Sequence, residues 1–147
     1  MGTWEVNMSK FLLTVCALGL LSSSAFAKEK SPEQMLEKQQ LARVVTSGTN
    51  QRIGFFYAVN PDCSASGDVN VRVTKQPEHG TVETTAATDF PTFPKENMRA
   101  RCNNRKVRGV QVNYKSGEKY VGADTLDLLV LFPGGFGQEV HLNINVR

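Results

Sequence analysis

The sequence predicts an all-β protein: an antiparallel two-sheet sandwich of about six or seven short strands with one disulfide. Three observations point there. From position 51 onward, apolar residues recur with period two. Clusters of Gly, Pro, Asn and Asp punctuate those segments. Two cysteines, Cys63 and Cys102, remain once the leading segment is set aside.

Lys10 precedes an apolar run, Phe11–Leu21, followed by Ser22-Ser23-Ser24 and then Ala25-Phe26-Ala27. A basic start, a short apolar stretch and a small-x-small ending describe a signal peptide cleaved after Ala27. A membrane-spanning helix needs about 20 apolar residues, and this run is too short. Residues 1–27 are therefore expected to be removed, leaving no transmembrane segment. Met8 makes a cleaner start than Met1, because residues 1–7 add the acidic Glu5 and no basic residue. The processed chain keeps the net charge of +3, since Lys10 and Glu5 leave together. The expected location is the periplasm or the extracellular medium.

Residues 28–50 are a polar lead-in. Ser31, Pro32 and Gln34 form a helix-start signal, and a short helix over 32–45 follows from it, with Gly48 as its stop. The apolar residues of that stretch do not line up as one helical stripe. Residues 51–147 then form the main domain. Ile53–Val59 is an apolar and aromatic strand. Val69, Val71 and Val73 alternate with polar residues, as do Val110, Val112 and Tyr114, and Val140, Leu142, Ile144 and Val146. Each set turns one face to a core and one to water, the pattern of antiparallel sheets. Thr125–Phe132 is nearly continuous in apolar residues and reads as a central strand; Gly80–Thr85 is a shorter one. Asn60-Pro61-Asp62, Ser66-Gly67-Asp68, Ser116-Gly117 and Pro133-Gly134-Gly135 are turns.

Cys63 and Cys102 stand 39 positions apart. In an exported chain that pair reads as a structural disulfide, since a redox pair favours Cys-x-x-Cys. Loop closure of this length contributes about 4 kcal/mol.

Two stretches resemble a known family. Pro77-Glu78-His79-Gly80-Thr81-Val82, after the Val71–Thr74 strand, resembles the turn of bacterial immunoglobulin-like and cadherin-like domains. Tyr114, followed by Gly122-Ala123-Asp124-Thr125-Leu126, resembles their later strand. The likeness covers about residues 65–147, and departs from the pattern at Ser116-Gly117 and at Leu126. It implies an immunoglobulin-like sandwich of the small, exported, single-domain kind, mostly of unassigned function.

Catalytic signals are weak. His79 and His141 are the sole histidines, too few for a metal site once both cysteines are oxidised. His79 is read as a turn residue, with Gly80 supplying an unusual backbone angle. No nucleophile elbow surrounds Ser64 or Ser66. Glu78, Glu83, Asp124 and Asp127 show no spacing that selects a catalytic pair, and Asp124 reads as part of a turn. No metal or cofactor is expected, and the protein is read as a non-enzyme.

One feature stands above this background. Lys95, Arg99, Arg101, Arg105, Lys106 and Arg108 crowd into residues 95–108, opposed by Glu96 alone. With the Pro- and Phe-rich stretch ahead of them, residues 86–108 read as a long ordered loop pinned by Cys102. Long loops in small domains often carry function. The expected function is a binding or structural module whose basic loop meets an anionic partner: a polysaccharide, a lipid surface or an acidic protein, but not nucleic acid, which an exported chain does not meet. The alternative is a small secreted enzyme inhibitor acting through the same loop.

Overall fold

The computed structural model describes residues 36–147. The signal-peptide reading and the helix-start signal at Ser31, Pro32 and Gln34 lie outside them. Seven strands follow one another: β1 Leu36–Val45, β2 Asn50–Tyr57, β3 Asn70–Lys75, β4 Gly80–Asp89, β5 Val107–Ser116, β6 Gly122–Leu131 and β7 Gly137–Val146. They make a four-stranded sheet of order β1-β7-β6-β3 and a three-stranded sheet of order β2-β5-β4. The period-two patterning becomes one shared core. Ile53 and Phe56 of β2 and Val112 and Tyr114 of β5 meet Leu126, Leu128 and Val130 of β6 and Val140, Leu142 and Ile144 of β7. β6 is internal to its sheet, as its apolar run suggested.

The expected helix over 32–45 is not formed where the structure describes it: Leu36–Val45 is strand β1. It runs parallel to β7, with Leu36 opposite Gly137 and Val45 opposite Val146. Leu41 packs against the core and Val45 is buried in it, at a spacing that a strand satisfies. A helix would also have put Leu41 and Val45 on one face, so their spacing does not decide; what decides is the β7 edge, which a helix would have left without partners. The lead-in thus belongs to the sheet, and the sheets contain one parallel pair where antiparallel pairs alone were expected. Gly48, at φ +70°, closes the β1–β2 turn instead of ending a helix, and its N–H donates to the buried Ser116 hydroxyl at 2.8 Å.

Between β6 and β7, Gly134 and Gly135 take φ of +85° and +83°, and the Phe132 N–H donates to the Phe136 carbonyl at 2.8 Å, a hairpin as expected. No helix among the described residues is long and apolar enough to cross a membrane.

Candidate functional site

The basic segment is built on two covalently joined pieces. The first is the turn after β2. The Asn60 N–H donates to the Ser64 carbonyl and the Cys63 N–H to the Asn60 carbonyl, both at 2.9 Å. Asp62 accepts from the Ser64 hydroxyl at 2.6 Å and from its N–H at 3.0 Å. Those two bonds hold the Asp62 carboxyl below its ordinary range. The turn leaves Cys63 at φ +70°. The second piece is a short 3-10 helix, Ala100–Asn104, which buries Cys102 completely. The disulfide Cys63–Cys102 joins them.

The loop itself is shorter than 86–108. Ala86–Asp89 belongs to β4, and Val107 and Arg108 to β5, so the irregular segment is 90–106. Backbone pairing with β5 captures its ends even though Ala86, Ala87 and Asp89 are poor strand formers, because the ladder with Val107–Val110 is long-range and continuous. Inside it, order comes from side chains that serve the backbone. The Asn103 amide accepts from the Phe93 N–H and donates to the Phe93 carbonyl, each at 2.9 Å. The Thr92 N–H donates to the Tyr57 hydroxyl at 2.8 Å, and the Tyr57 and Phe93 rings meet edge to face at 5.4 Å.

The six basic residues divide in two. Arg99 donates through Nε to the Val59 carbonyl at 2.8 Å, and Arg101 through Nε to the Pro61 carbonyl at 2.9 Å. Both flank the disulfide and hold the 3-10 helix against the β2 turn. Lys95, Arg105, Lys106 and Arg108 are exposed, and none of them has an ion pair among the described residues. The Lys106 ammonium lies 5.6 Å from the centre of the Phe90 ring. Arg108 lines a cleft of about 380 Å³ with Ala65, Val69, Ala86 and Val110.

The other candidates find structural employment. Asp124 is buried on β6 and reaches across to the second sheet. It accepts from the N–H groups of Glu78 at 2.9 Å and His79 at 3.0 Å, and from the Tyr114 hydroxyl at 2.8 Å. The two stretches that carried the family resemblance are therefore one hydrogen-bonded unit, with Tyr114 joined to Asp124 through its hydroxyl. Gly80 serves this unit by its size. Its φ is not positive, contrary to the expected role, but a Cβ there would stand 2.5 Å from the Tyr114 ring. His79 stacks on Tyr120 at 4.1 Å between ring centres. His141 on β7 bonds through Nδ1 to Asp127 on β6, on the outer face of the larger sheet. Among the described residues no group of three or more His, Cys, Asp or Glu is arranged to hold a metal ion.

No family model matches this chain, and no curated protein matches it. Among solved structures, the solution structure of amebosin is 14% identical, with a TM-score of 0.37 over 76% of this chain and 98% of that one. A 2,6-sialyltransferase from Vibrionaceae Photobacterium sp. JT-ISH-224, solved with CMP and lactose, is 10% identical, with a TM-score of 0.30. That match covers 77% of this chain and 18% of the transferase. Likenesses this slight carry no argument about what the chain does.

Proposed function

We propose that this chain is a non-catalytic, exported module of immunoglobulin-like type that binds an anionic partner through the 90–106 loop and its β5 flank. One observation carries the reading: the split among the six basic residues. Arg99 and Arg101 are held by hydrogen bonds to main-chain carbonyls, Arg101 while itself exposed, whereas Lys95, Arg105, Lys106 and Arg108 are exposed with no ion pair among the described residues. A loop already fixed by a disulfide loses little freedom on binding, so its charges meet a partner in set positions. An acidic polysaccharide, an anionic lipid surface or an acidic protein fits that chemistry. The disulfide supports an oxidising compartment, periplasmic or extracellular.

The strand order supports the immunoglobulin-like reading. β2, β5 and β4 face β3, β6 and β7, as strands B, E and D face C, F and G in that fold, with β1 added beside β7. The same loop rigidity favours the inhibitor as a second reading, in which one enzyme is bound tightly at a fixed stoichiometry.

The test is retention of the protein on envelope extract across a salt series. The variant Lys95→Ser, Arg105→Ser, Lys106→Ser, Arg108→Ser should bind about a thousandfold more weakly, at about 1 kcal/mol per charge on an anionic surface. Retention by the wild type should fall as salt rises. Retention that is equal in both proteins defeats the proposal and leaves the four residues as a solvated face. Salt-insensitive capture of a single enzyme selects the inhibitor.

A further inference from the structure

The two sheets expose four edge strands, and an edge offers main-chain N–H and C=O groups to any other strand. Three are blunted. β1 carries Glu37, Lys38 and Arg43. β2 is irregular between Arg52 and Gly54, and its Ile53 carbonyl accepts from Arg43 Nε at 2.6 Å. β3 is six residues long, carries Arg72 and Lys75, and is irregular between Val73 and Lys75. β4 is the least defended. Its ten residues keep unbroken register with β5, contain no Pro, Lys or Arg, and carry two charges, Glu83 and the terminal Asp89, which pairs with Arg52.

The register identifies the groups on the open side. The His79 carbonyl accepts from the Gly117 N–H at 2.7 Å. Antiparallel ladders alternate between bonded and unbonded pairs. Counting on from that bond, Thr81, Glu83, Thr85, Ala87 and Asp89 bond to β5. The main-chain groups of Gly80, Val82, Thr84, Ala86 and Thr88 face outward.

We propose that β4 pairs antiparallel with β4 of a second copy of this chain, about a two-fold axis at Thr84. This frame employs all five outward residues: Gly80 meets Thr88, Val82 meets Ala86, and Thr84 meets itself. A two-fold axis makes the interface reciprocal, so one favourable contact occurs twice. Beyond the strand ends the same frame brings Glu78 of one copy, in the bend before β4, toward Phe90 of the other, whose ring centre lies 5.6 Å from the Lys106 ammonium. Glu78 and Lys106 are both exposed, and neither has an ion pair among the described residues. Two Glu78–Lys106 attractions thus select this frame over those shifted along the strand. An unrelated extended segment would gain the ladder but not this reciprocal charge.

The experiment is sedimentation equilibrium over a concentration series, on disulfide-intact protein recovered from cells expressing the full chain, with amide exchange followed in parallel. The expected mass rises from one chain toward two in the micromolar to millimolar range, since a single strand pair is a small interface. Protection of the Val82, Thr84 and Ala86 amides should rise with it, while Thr85 and Ala87 stay protected throughout. Thr84→Pro deletes an outward N–H and no bond to β5, so it should give one-chain mass with the fold intact. Glu78→Lys and Lys106→Glu should each weaken dimerisation about tenfold, and together restore it. These charge variants test the frame even if Thr84→Pro does not fold. One-chain mass at every concentration overturns the proposal. So does a dimer that survives Thr84→Pro, or capture of foreign extended peptides on β4 without self-association.

Discussion

Replacing Asp124 with alanine is expected to cost about 3 to 5 kcal/mol of folding stability, and to lower the melting midpoint by more than about 10 °C. The Asp124 carboxylate is 5% exposed and accepts four hydrogen bonds. Alanine would leave the wholly buried Tyr114 hydroxyl and the half-buried N–H groups of Glu78 and His79 without their acceptor. Each such loss costs about 1 to 3 kcal/mol, less where water can enter. Asp124→Asn should fall between wild type and alanine, because it keeps one acceptor but turns an amide N–H₂ toward a donor. Tyr114→Phe removes one bond and should cost about 1 kcal/mol.

The pH dependence has two flanks. Burial pushes the Asp124 carboxyl up, but the N–H groups of Glu78, His79 and Thr125 and the Tyr114 hydroxyl together pull it below the ordinary value of 3.8. A carboxyl whose folded pKa is depressed contributes stability that is present above its unfolded pKa. That contribution is lost as the pH falls from about 3.8 through the lower folded value. Burial, and then the bond to Asp124, pushes Tyr114 well above its ordinary 10.0. Its contribution is complete below pH 10 and is lost as the pH rises beyond it. Chemical denaturation across pH should show both flanks in the wild type. Asp124→Ala should flatten the acid flank, and Tyr114→Phe the alkaline one. An acid flank that is unchanged in Asp124→Ala would refute the assignment.

What the sequence made legible is what its short-range pattern encodes. β3, β5, β6 and β7 announce themselves by alternation or by a continuous apolar run, and the disulfide follows from there being two cysteines to pair. β1 does not, because its partner β7 lies about a hundred residues further on and nothing local says that Leu41 and Val45 face it. A capping signal just upstream argued instead for a helix, and long-range pairing overrode it. The Asp124 unit was half visible. Both motifs are legible in the sequence, yet no local rule joins Asp124 to an N–H 46 residues away. The basic segment is the clearest case. Arg99 and Arg105 are alike in type and neighbourhood, and only the path of the 59–63 turn makes one an anchor and leaves the other exposed.

The second large effect is expected from the disulfide. Cys63→Ala with Cys102→Ala should cost about 4 kcal/mol, from the loop-closure entropy of the 39-residue separation. This loss differs in kind from that of Asp124. It acts mainly by freeing the unfolded chain, so the sheets should persist, and the damage in the folded state should concentrate in the loop. There the disulfide shares its task with Arg99 and Arg101, which join the same two segments. Restraints in parallel are not additive. With the disulfide intact, Arg99→Ala should cost little, since Cys102 still holds the 3-10 helix against the turn. In the double cysteine variant the same change should cost more, because the guanidinium is then one of two remaining ties. A four-variant cycle by urea denaturation measures that coupling, and retention on envelope extract reads its consequence for binding. Loss of retention should follow the loss of both restraints more closely than the loss of either one. A cycle with zero coupling would mean that the disulfide and Arg99 act independently and do not share one restraint.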